Sequence, residues 1–500
     1  MSAYNPLSLP THKLPCKTAN NFVPLLPVRS RMRSRFGSIL FVSLVVLCSL
    51  VSCNGENLID NPRKEDNDTT RLVIKDSLWH RFPMTQVVTS VQPMTGLVLW
   101  CDDAADLHTQ YGKSISLEYS YCLPSAVVKG KEGGRILYDW TSFDAMLAGI
   151  ASRGHQAVVR FRYEYPGSTD VDGKAGTTAV PGYIKERADY HETYSKNPNG
   201  DGATWYADWS NKELQWFSMQ FYTDFNARYG NDPRLAFLEV GFGHWSEYHI
   251  YGTPLRLGVN FPSKEYQTDF LNHLSITMDI PWLVSIDAAD GAYSPVTQNA
   301  ALMGLSFGLF DDSFMHKEHD KVQGEGYNEE CWLALGAANR WQRAACGGEI
   351  SYYDSKDQRT FLNPAGLYGV TWEAASAKYH ISFMIANDAP GTAYGSPERF
   401  RQAGMLCGYR FKVLDCITSP DETRVLAKNI GIAPLYRDAF FAIGDCRSEE
   451  TLRGLLPGER KTFVIKRQLS EEDSLCIESD LVGQQQHIEY ECHISAEGSE

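Results

Sequence analysis

The chain has 500 residues and a net charge of −14, with no block of clustered Lys and Arg in its folded part. Phosphate binding needs such clusters, so nucleic acid is excluded as a partner, while a neutral ligand is left open. The length admits a barrel-sized domain and a smaller second one.

The chain opens on a leader. Arg29, Arg31, Arg33 and Arg35 precede an apolar run from Ile39 that closes as Leu50-Val51-Ser52-Cys53. A charged region, a short hydrophobic core and a small-residue cleavage site make a secretory signal, and the run is too short for a stable membrane span. Cys53 at the cleavage position resembles the bacterial lipoprotein lipobox, which implies acylation of Cys53. The chain is then exported to the cell envelope and lipid-anchored to the outer membrane. Residues 1–53 are thus read as signal peptide with lipobox, with a chance Cys in an ordinary signal as the alternative. Met32 restarts the pattern and is a second candidate start. Residues 54–84 begin as the polar stretch NGENLIDNPRKEDNDTT and read as a flexible tether. With the first 52 residues set aside, 41 basic residues face 61 acidic ones. Nine cysteines follow Cys53 without a CxxC or zinc-type spacing, and they read as buried thiols. No metal and no cofactor is expected.

From Gly96 onward, strand-like and helix-like patterns alternate. Gly96 to Trp100 and Ser114 to Tyr119 predict two strands, and Tyr138 to Gly154 predicts a helix with Trp140, Phe143, Leu147 and Ile150 on one face. A third strand at Gln156 to Arg162 and a helix at Asn211 to Gly230 come next, before a fourth strand at Leu235 to Gly243. Further strands are expected at Pro281 to Ile286, Ser306 to Phe310, Gly347 to Tyr352 and Ile381 to Ile385. Helices at Pro262 to Met278, Tyr327 to Ala345 and Thr371 to Tyr379 separate them. Eight strands alternating with helices predict an α/β fold, a (β/α)8 TIM barrel, over residues 85–404. The Gly-, Tyr- and Asp-rich segment from Pro166 to Asp208 exceeds a plain connection and reads as a loop over the site. Over residues 405–500, short β-type runs at Arg424, Ala439, Lys461 and His487 predict a small antiparallel β-sandwich.

Polar residues gather at the predicted strand ends, where such barrels carry their chemistry. Glu118 and Tyr119 lie on the second strand; Arg160, Arg162 and Glu164 lie on or after the third. Trp245, Glu247 and His249 follow the fourth, and Asp287 and Asp311 (with Asp312) end the fifth and sixth. Glu349 is on the seventh, and Asn387 and Asp388 close the eighth. Arg160 and Arg162 alternate and so share a face, where they hold carboxylates ionised or grip a polar substrate. Two carboxylates on strands four and seven suit a retaining glycosidase, with Glu247 as acid/base and Glu349 as nucleophile. Trp245, Tyr248, Trp205, Trp209, Tyr352 and Tyr353 would offer faces to a carbohydrate, or simply pack the rim. The candidate substrate contacts are Tyr119, Arg160, Arg162, Glu164, Trp245, His249, Asp287, Asp311, Tyr352 and Asn387. A glycan-binding site without turnover, and purely structural acids, remain as alternatives.

Other strings carry less. Gly304-Leu-Ser306-Phe-Gly308 has the letters of a nucleophile elbow but precedes a strand, where that motif must follow one. His316-Lys-Glu-His319-Asp320 reads as a solvated loop before a metal site.

Tyr138-Asp-Trp140, Arg153-Gly154 and a strand ending in Arg resemble the barrel of the glycosidase clan that includes β-galactosidases and cellulases. Gly243-His-Trp-Ser-Glu247-Tyr-His249, Gly347-Gly-Glu349 and Asn429-Ile-Gly-Ile-Ala-Pro434-Leu-Tyr436 are similar to an uncharacterised family of bacterial secreted proteins. That resemblance implies a glycosidase-like barrel with a C-terminal β-sandwich. The clan places Asn directly before the acid/base Glu; here Ser246 stands there.

Overall fold

The computed structural model describes residues 70–74, 76–167, 178–196, 203–321, 324–386 and 394–495. Cys53, Asn387 and Asp388 lie outside them, as does the stretch read as a signal peptide. No helix among the described residues is long and apolar enough to cross a membrane.

Eight parallel strands close into a barrel in chain order: β1 (Gly96–Trp100), β2 (Leu117–Cys122), β3 (Gln156–Phe161), β4 (Leu235–Val240), β5 (Trp282–Ser285), β6 (Gly308–Phe314), β7 (Cys346–Ile350) and β8 (Phe383–Ile385). Strands covered on both faces read as near-continuous apolar runs, and β3 and β4 are buried at every position. Alternate residues divide between the two sides. Val98, Tyr119, Val158, Phe237, Leu283, Phe310 and Phe383 belong to the inner cluster, and Leu235, Leu238 and Val240 to the outer one beneath the helices. Phe237 and Phe383 stack across the lumen at 4.8 Å between ring centroids. The barrel centre is therefore packed, not hollow.

The helices start where their caps are. In α1 (Thr141–Ser152), Phe143, Leu147 and Ile150 face the barrel. Asn211 caps α2 (Lys212–Tyr229) by accepting from Leu214 N, and Ser263 caps α3 (Lys264–Thr277) by accepting from Tyr266 N. The aromatic stripe of α2 meets Phe161 of β3, with ring centroids of Phe221 at 4.8 Å and Phe225 at 5.2 Å. The helix expected from Tyr327 to Ala345 is shorter. It ends as α4 (Tyr327–Ala334), because Gly336 turns the backbone left-handed at φ 78°, and a separate turn follows at Ala337–Arg340. α5 (Trp372–Lys378) and α6 (Pro397–Gly404) complete the ring.

After the barrel, β9 (Phe411–Thr418), β10 (Thr423–Asn429), β11 (Phe440–Ile443), β12 (Arg460–Ile465), β13 (Leu475–Glu478) and β14 (Tyr490–Ile494) form two sheets. The larger has the order β12-β10-β9-β14 and ends on Met84–Gln86; the smaller joins Cys446–Arg447, β11 and β13. Phe441 packs across on Phe463 at 5.3 Å. The sandwich is not wholly antiparallel, since β9 and β14 run parallel. His80–Arg81 and Met84–Gln86, which fall mostly within the stretch read as tether, belong to this sheet. His80–Arg81 pairs with β9, and the buried carboxylate of Asp415 takes Arg81 Nε and Leu72 N at 2.7 Å each. A buried carboxylate requires such partners, which is why this stretch is held.

The sandwich plugs the N-terminal end of the barrel. Gln156 Nε2 at the start of β3 donates to Leu481 O, Gln486 donates to Ser116 O, and Arg437 donates to Asp279 O and Gly230 O. Asn429 orders the connecting segment by donating to Ala433 O and Leu455 O and accepting from Arg410 N and Gly431 N. At the opposite end, by the strand C-termini, the polar side chains of the lumen gather around Arg160. Phe237→Ala is expected to lower the unfolding free energy by about 3–5 kcal/mol, as read from urea denaturation.

Candidate active site

A single guanidinium organises the C-terminal mouth of the barrel. Arg160 projects from β3 with no exposed surface and reaches three glutamates: Nε donates to Glu239 at 2.7 Å, Nη1 to Glu247 at 2.6 Å and Nη2 to Glu349 at 3.1 Å. Nη1 is also 3.3 Å from Tyr121 Oη and from Trp245 O. Its central carbon lies 4.2 Å from the ring centre of Phe310. Tyr119 donates to the Glu239 oxygen that Arg160 uses, at 2.9 Å. Glu247 and Glu349, from opposite sides of the barrel, thus share one cation.

Glu247 stands on a strained turn. Trp245 (φ 52°), Ser246 (φ 67°) and Tyr248 (φ 64°) all hold left-handed backbone, which costs non-glycine residues of order 1 kcal/mol or more each. Tyr248 N donates to Phe242 O, His244 N to His249 O and Trp245 N to Glu164 O, so the turn is over-determined. Gly241 and Gly243 let it close: a Cβ on Gly241 would lie 1.9 Å from Ser246 O, and one on Gly243 2.3 Å from His249 O. Ser246 is buried and its hydroxyl donates to Phe161 O at 2.9 Å. It pins the turn to β3 and does not face the mouth.

The remaining predicted residues divide. His249 Nδ1 lies 2.9 Å from Asp287 Oδ2, and Tyr327 reaches the other Asp287 oxygen at 3.3 Å. Tyr352 accepts from Trp100 Nε1 at 3.1 Å, and Trp100 packs edge-on to Tyr119 at 4.9 Å. The guanidinium of Arg162 lies over the rings of Tyr121 and Tyr165 at 5.2 and 4.4 Å. Glu164 is sealed beneath the long loop, where it accepts from Ala207 N at 3.1 Å; it supports that loop rather than the mouth. The same loop carries a hairpin of Thr193–Ser195 with Thr204–Tyr206, docked through Tyr206 Oη on Tyr251 O. Asp311 points the other way, into the helix layer, where Trp332 Nε1 and Asn328 Nδ2 each donate to it at 2.8 Å. The lumen side of β6 carries Phe310 and Asp312, as period two requires. Glu118 likewise faces outward onto Arg153 and His155. Trp209 is core, packed on Phe242 and Tyr163, and Trp205 stacks with Tyr194 on the hairpin. His319 is buried against Phe314 and Tyr379, contrary to the solvated-loop reading. No group of three or more potential metal-holding side chains occurs among the described residues.

Burial governs the ionisation of the mouth. It pushes Glu247 well above the usual carboxylate range, with the Asp312 charge adding to the effect and Arg160 opposing it. Burial raises Glu349 to about 7 against the pull of Arg160, and Asp312 to about 6 with the help of Asp287. For His249, burial opposes the charged ring, but the Asp287 hydrogen bond and the Asp287 and Asp312 charges outweigh it and raise the group above its ordinary value.

Four participants escape the sequence reading: Glu239, Tyr121, Trp100 and Asp312 as a lumen residue. Period-two parity on β4, β2, β1 and β6 is the available signal. No protein-family model and no curated protein matches the chain, so the resemblance to an uncharacterised secreted family stands on the residues quoted for it. Among solved structures, endo-glycoceramidase II from Rhodococcus sp., in a cellobiose-like imidazole complex, aligns at 9% identity and a TM-score of 0.39, over 76% of this chain and 100% of that one. An α-amylase from Lactobacillus plantarum aligns at 10% identity and a TM-score of 0.35, over 77% and 99%.

Because Ser246 is an anchor, Ser246→Asn is expected to destabilise the protein by about 1–3 kcal/mol in urea denaturation without adding a contact at the mouth.

Proposed function

We propose that the C-terminal mouth of the barrel is a glycoside hydrolase site working by the retaining two-glutamate mechanism. The observation that carries the reading is that Glu247 and Glu349, after β4 and on β7, are gripped by adjacent nitrogens of one buried guanidinium. Two carboxyl groups held this way face a common space, as a retaining mechanism needs. Burial raises both carboxyls above the usual range, with Arg160 opposing it. Glu247, which follows β4, is assigned as the acid that protonates the leaving oxygen. Glu349 is the carboxylate that attacks the anomeric carbon, and Arg160 stabilises it as an anion. Water then enters from the Glu247 side, with Glu247 acting as base. Trp100, Tyr121, Trp245 and Tyr352 offer aromatic faces to a sugar ring.

A second reading is a glycan-binding surface protein without turnover. It is favoured by Ser246, whose hydroxyl is spent on Phe161 O where the glycosidase clan has a sugar-contacting Asn. We further infer, from the leader and Cys53 alone, an exported protein tethered by lipid to the bacterial outer membrane.

On a panel of aryl glycosides, Glu247→Gln and Glu349→Gln are each expected to lower kcat/KM by about 10²–10⁴-fold. Glycan-array binding that survives both changes, with no hydrolysis by the wild type, would establish the binder instead. The acid limb of the pH profile is expected near pH 7, because burial raises both carboxyls of the pair. An acid limb at pH 4–5, as for an unperturbed glutamate, would contradict the assignment.

A further inference from the structure

We propose that Glu239 is a positioning residue for the glutamate pair: it occupies Nε of Arg160, leaves both Nη groups to Glu247 and Glu349, and by its charge limits how strongly Arg160 holds Glu349 ionised. The proposal rests on the reading of those two glutamates as the acting pair.

A guanidinium has five N–H donors in one plane, and a buried carboxylate usually takes two of them as a fork. Glu239 takes one. Its Oε2 accepts from Arg160 Nε at 2.7 Å, and Tyr119 fills that oxygen's remaining capacity at 2.9 Å. Its Oε1 is buried and meets no donor among the described residues. A carboxylate placed only to neutralise Arg160 would take the fork and satisfy both oxygens. The single contact instead keeps Nη1 and Nη2 free for the mouth. Glu239 and Arg160 are register partners across β3 and β4, so the backbone fixes their spacing, and the Phe310 ring supports the guanidinium plane.

The charge of Glu239 matters as much as its position. The groups facing the pair are Tyr119 and Tyr121 from β2, Arg160 from β3, His249 beyond β4, Asp287 beyond β5 and Asp312 from β6. Tyr353 borders the same acids. Arg160 and His249 are the cations of that set, and His249 is committed to Asp287. Glu239 therefore competes with Glu349 for the one guanidinium and repels it directly, both of which favour the protonated form of Glu349.

Glu239→Gln keeps the shape and an acceptor for Arg160 Nε and Tyr119 while removing the charge. Glutamate side-chain carboxyls labelled with carbon-13 are titrated by NMR, with the two resonances assigned from Glu247→Gln and Glu349→Gln. The Glu349 midpoint is expected to fall by about one pH unit or more in Glu239→Gln. An unmoved midpoint in a folded variant would overturn the proposal, because a merely structural role leaves that midpoint alone. Should this variant fail to fold, Tyr119→Phe is titrated instead. It removes the second donor from the shared oxygen, so Glu239 draws harder on Arg160 and the Glu349 midpoint is expected to rise; no change would overturn the proposal. The titration needs no substrate. A shifted midpoint in a protein that hydrolyses nothing removes the hydrolase reading and keeps this one, and an unmoved midpoint in an active enzyme does the reverse.

Discussion

One buried cation shared by three carboxylates is the constraint on which the rest of the molecule depends. Taking a guanidinium out of water is expensive unless its charge and donors are met, and removing one partner of such a group typically destabilises by about 3–5 kcal/mol. Arg160 is met on every side: Glu239 beneath, Glu247 and Glu349 above, and rings of Phe310, Tyr119 and Tyr121 around. The arrangement works only if the lumen is dry and stiff. The Phe237–Phe383 stack fills the barrel below it, and the sandwich closes the far end.

The same constraint accounts for the strain beyond β4. A glutamate on a relaxed extension of that strand would follow its direction; three left-handed residues and two close-packed glycines fold the chain back instead, toward Arg160. The strain is offset by buried hydrogen bonds, of which the Ser246 hydroxyl to Phe161 O is one. Ser246 and Glu247 are neighbours with separate tasks, one holding the turn and the other facing the mouth. The departure from the glycosidase pattern at position 246 is therefore a structural choice in this chain.

The barrel was legible because strands buried on both faces leave continuous apolar runs, and eight such runs in step with helices admit few topologies. Arg160 was legible for the opposite reason, as a charge inside such a run. Glu239 is the same signal one strand further on, but an acid among Leu, Phe and Val reads as part of the run. Asp311 and Asp312 differ by one position, and in a strand one position reverses the face. Counting from Phe310, which lies under Arg160, selects Asp312. Glu164 follows a strand as a site residue should, and only the contact with Ala207, far along the chain, shows that it is covered. Leu72 and Arg81 fall within residues 54–84, which read as tether from their polarity; their hold on Asp415 is a long-range contact that local composition does not encode.

The central claim is that Glu247 and Glu349 act as acid/base and nucleophile on one glycosidic bond. The most direct measurement is the configuration of the first-formed product, followed by proton NMR during hydrolysis of an aryl glycoside that the wild type accepts. The account predicts release of the same anomer as the substrate, since two displacements occur at the anomeric carbon. Release of the opposite anomer would contradict it.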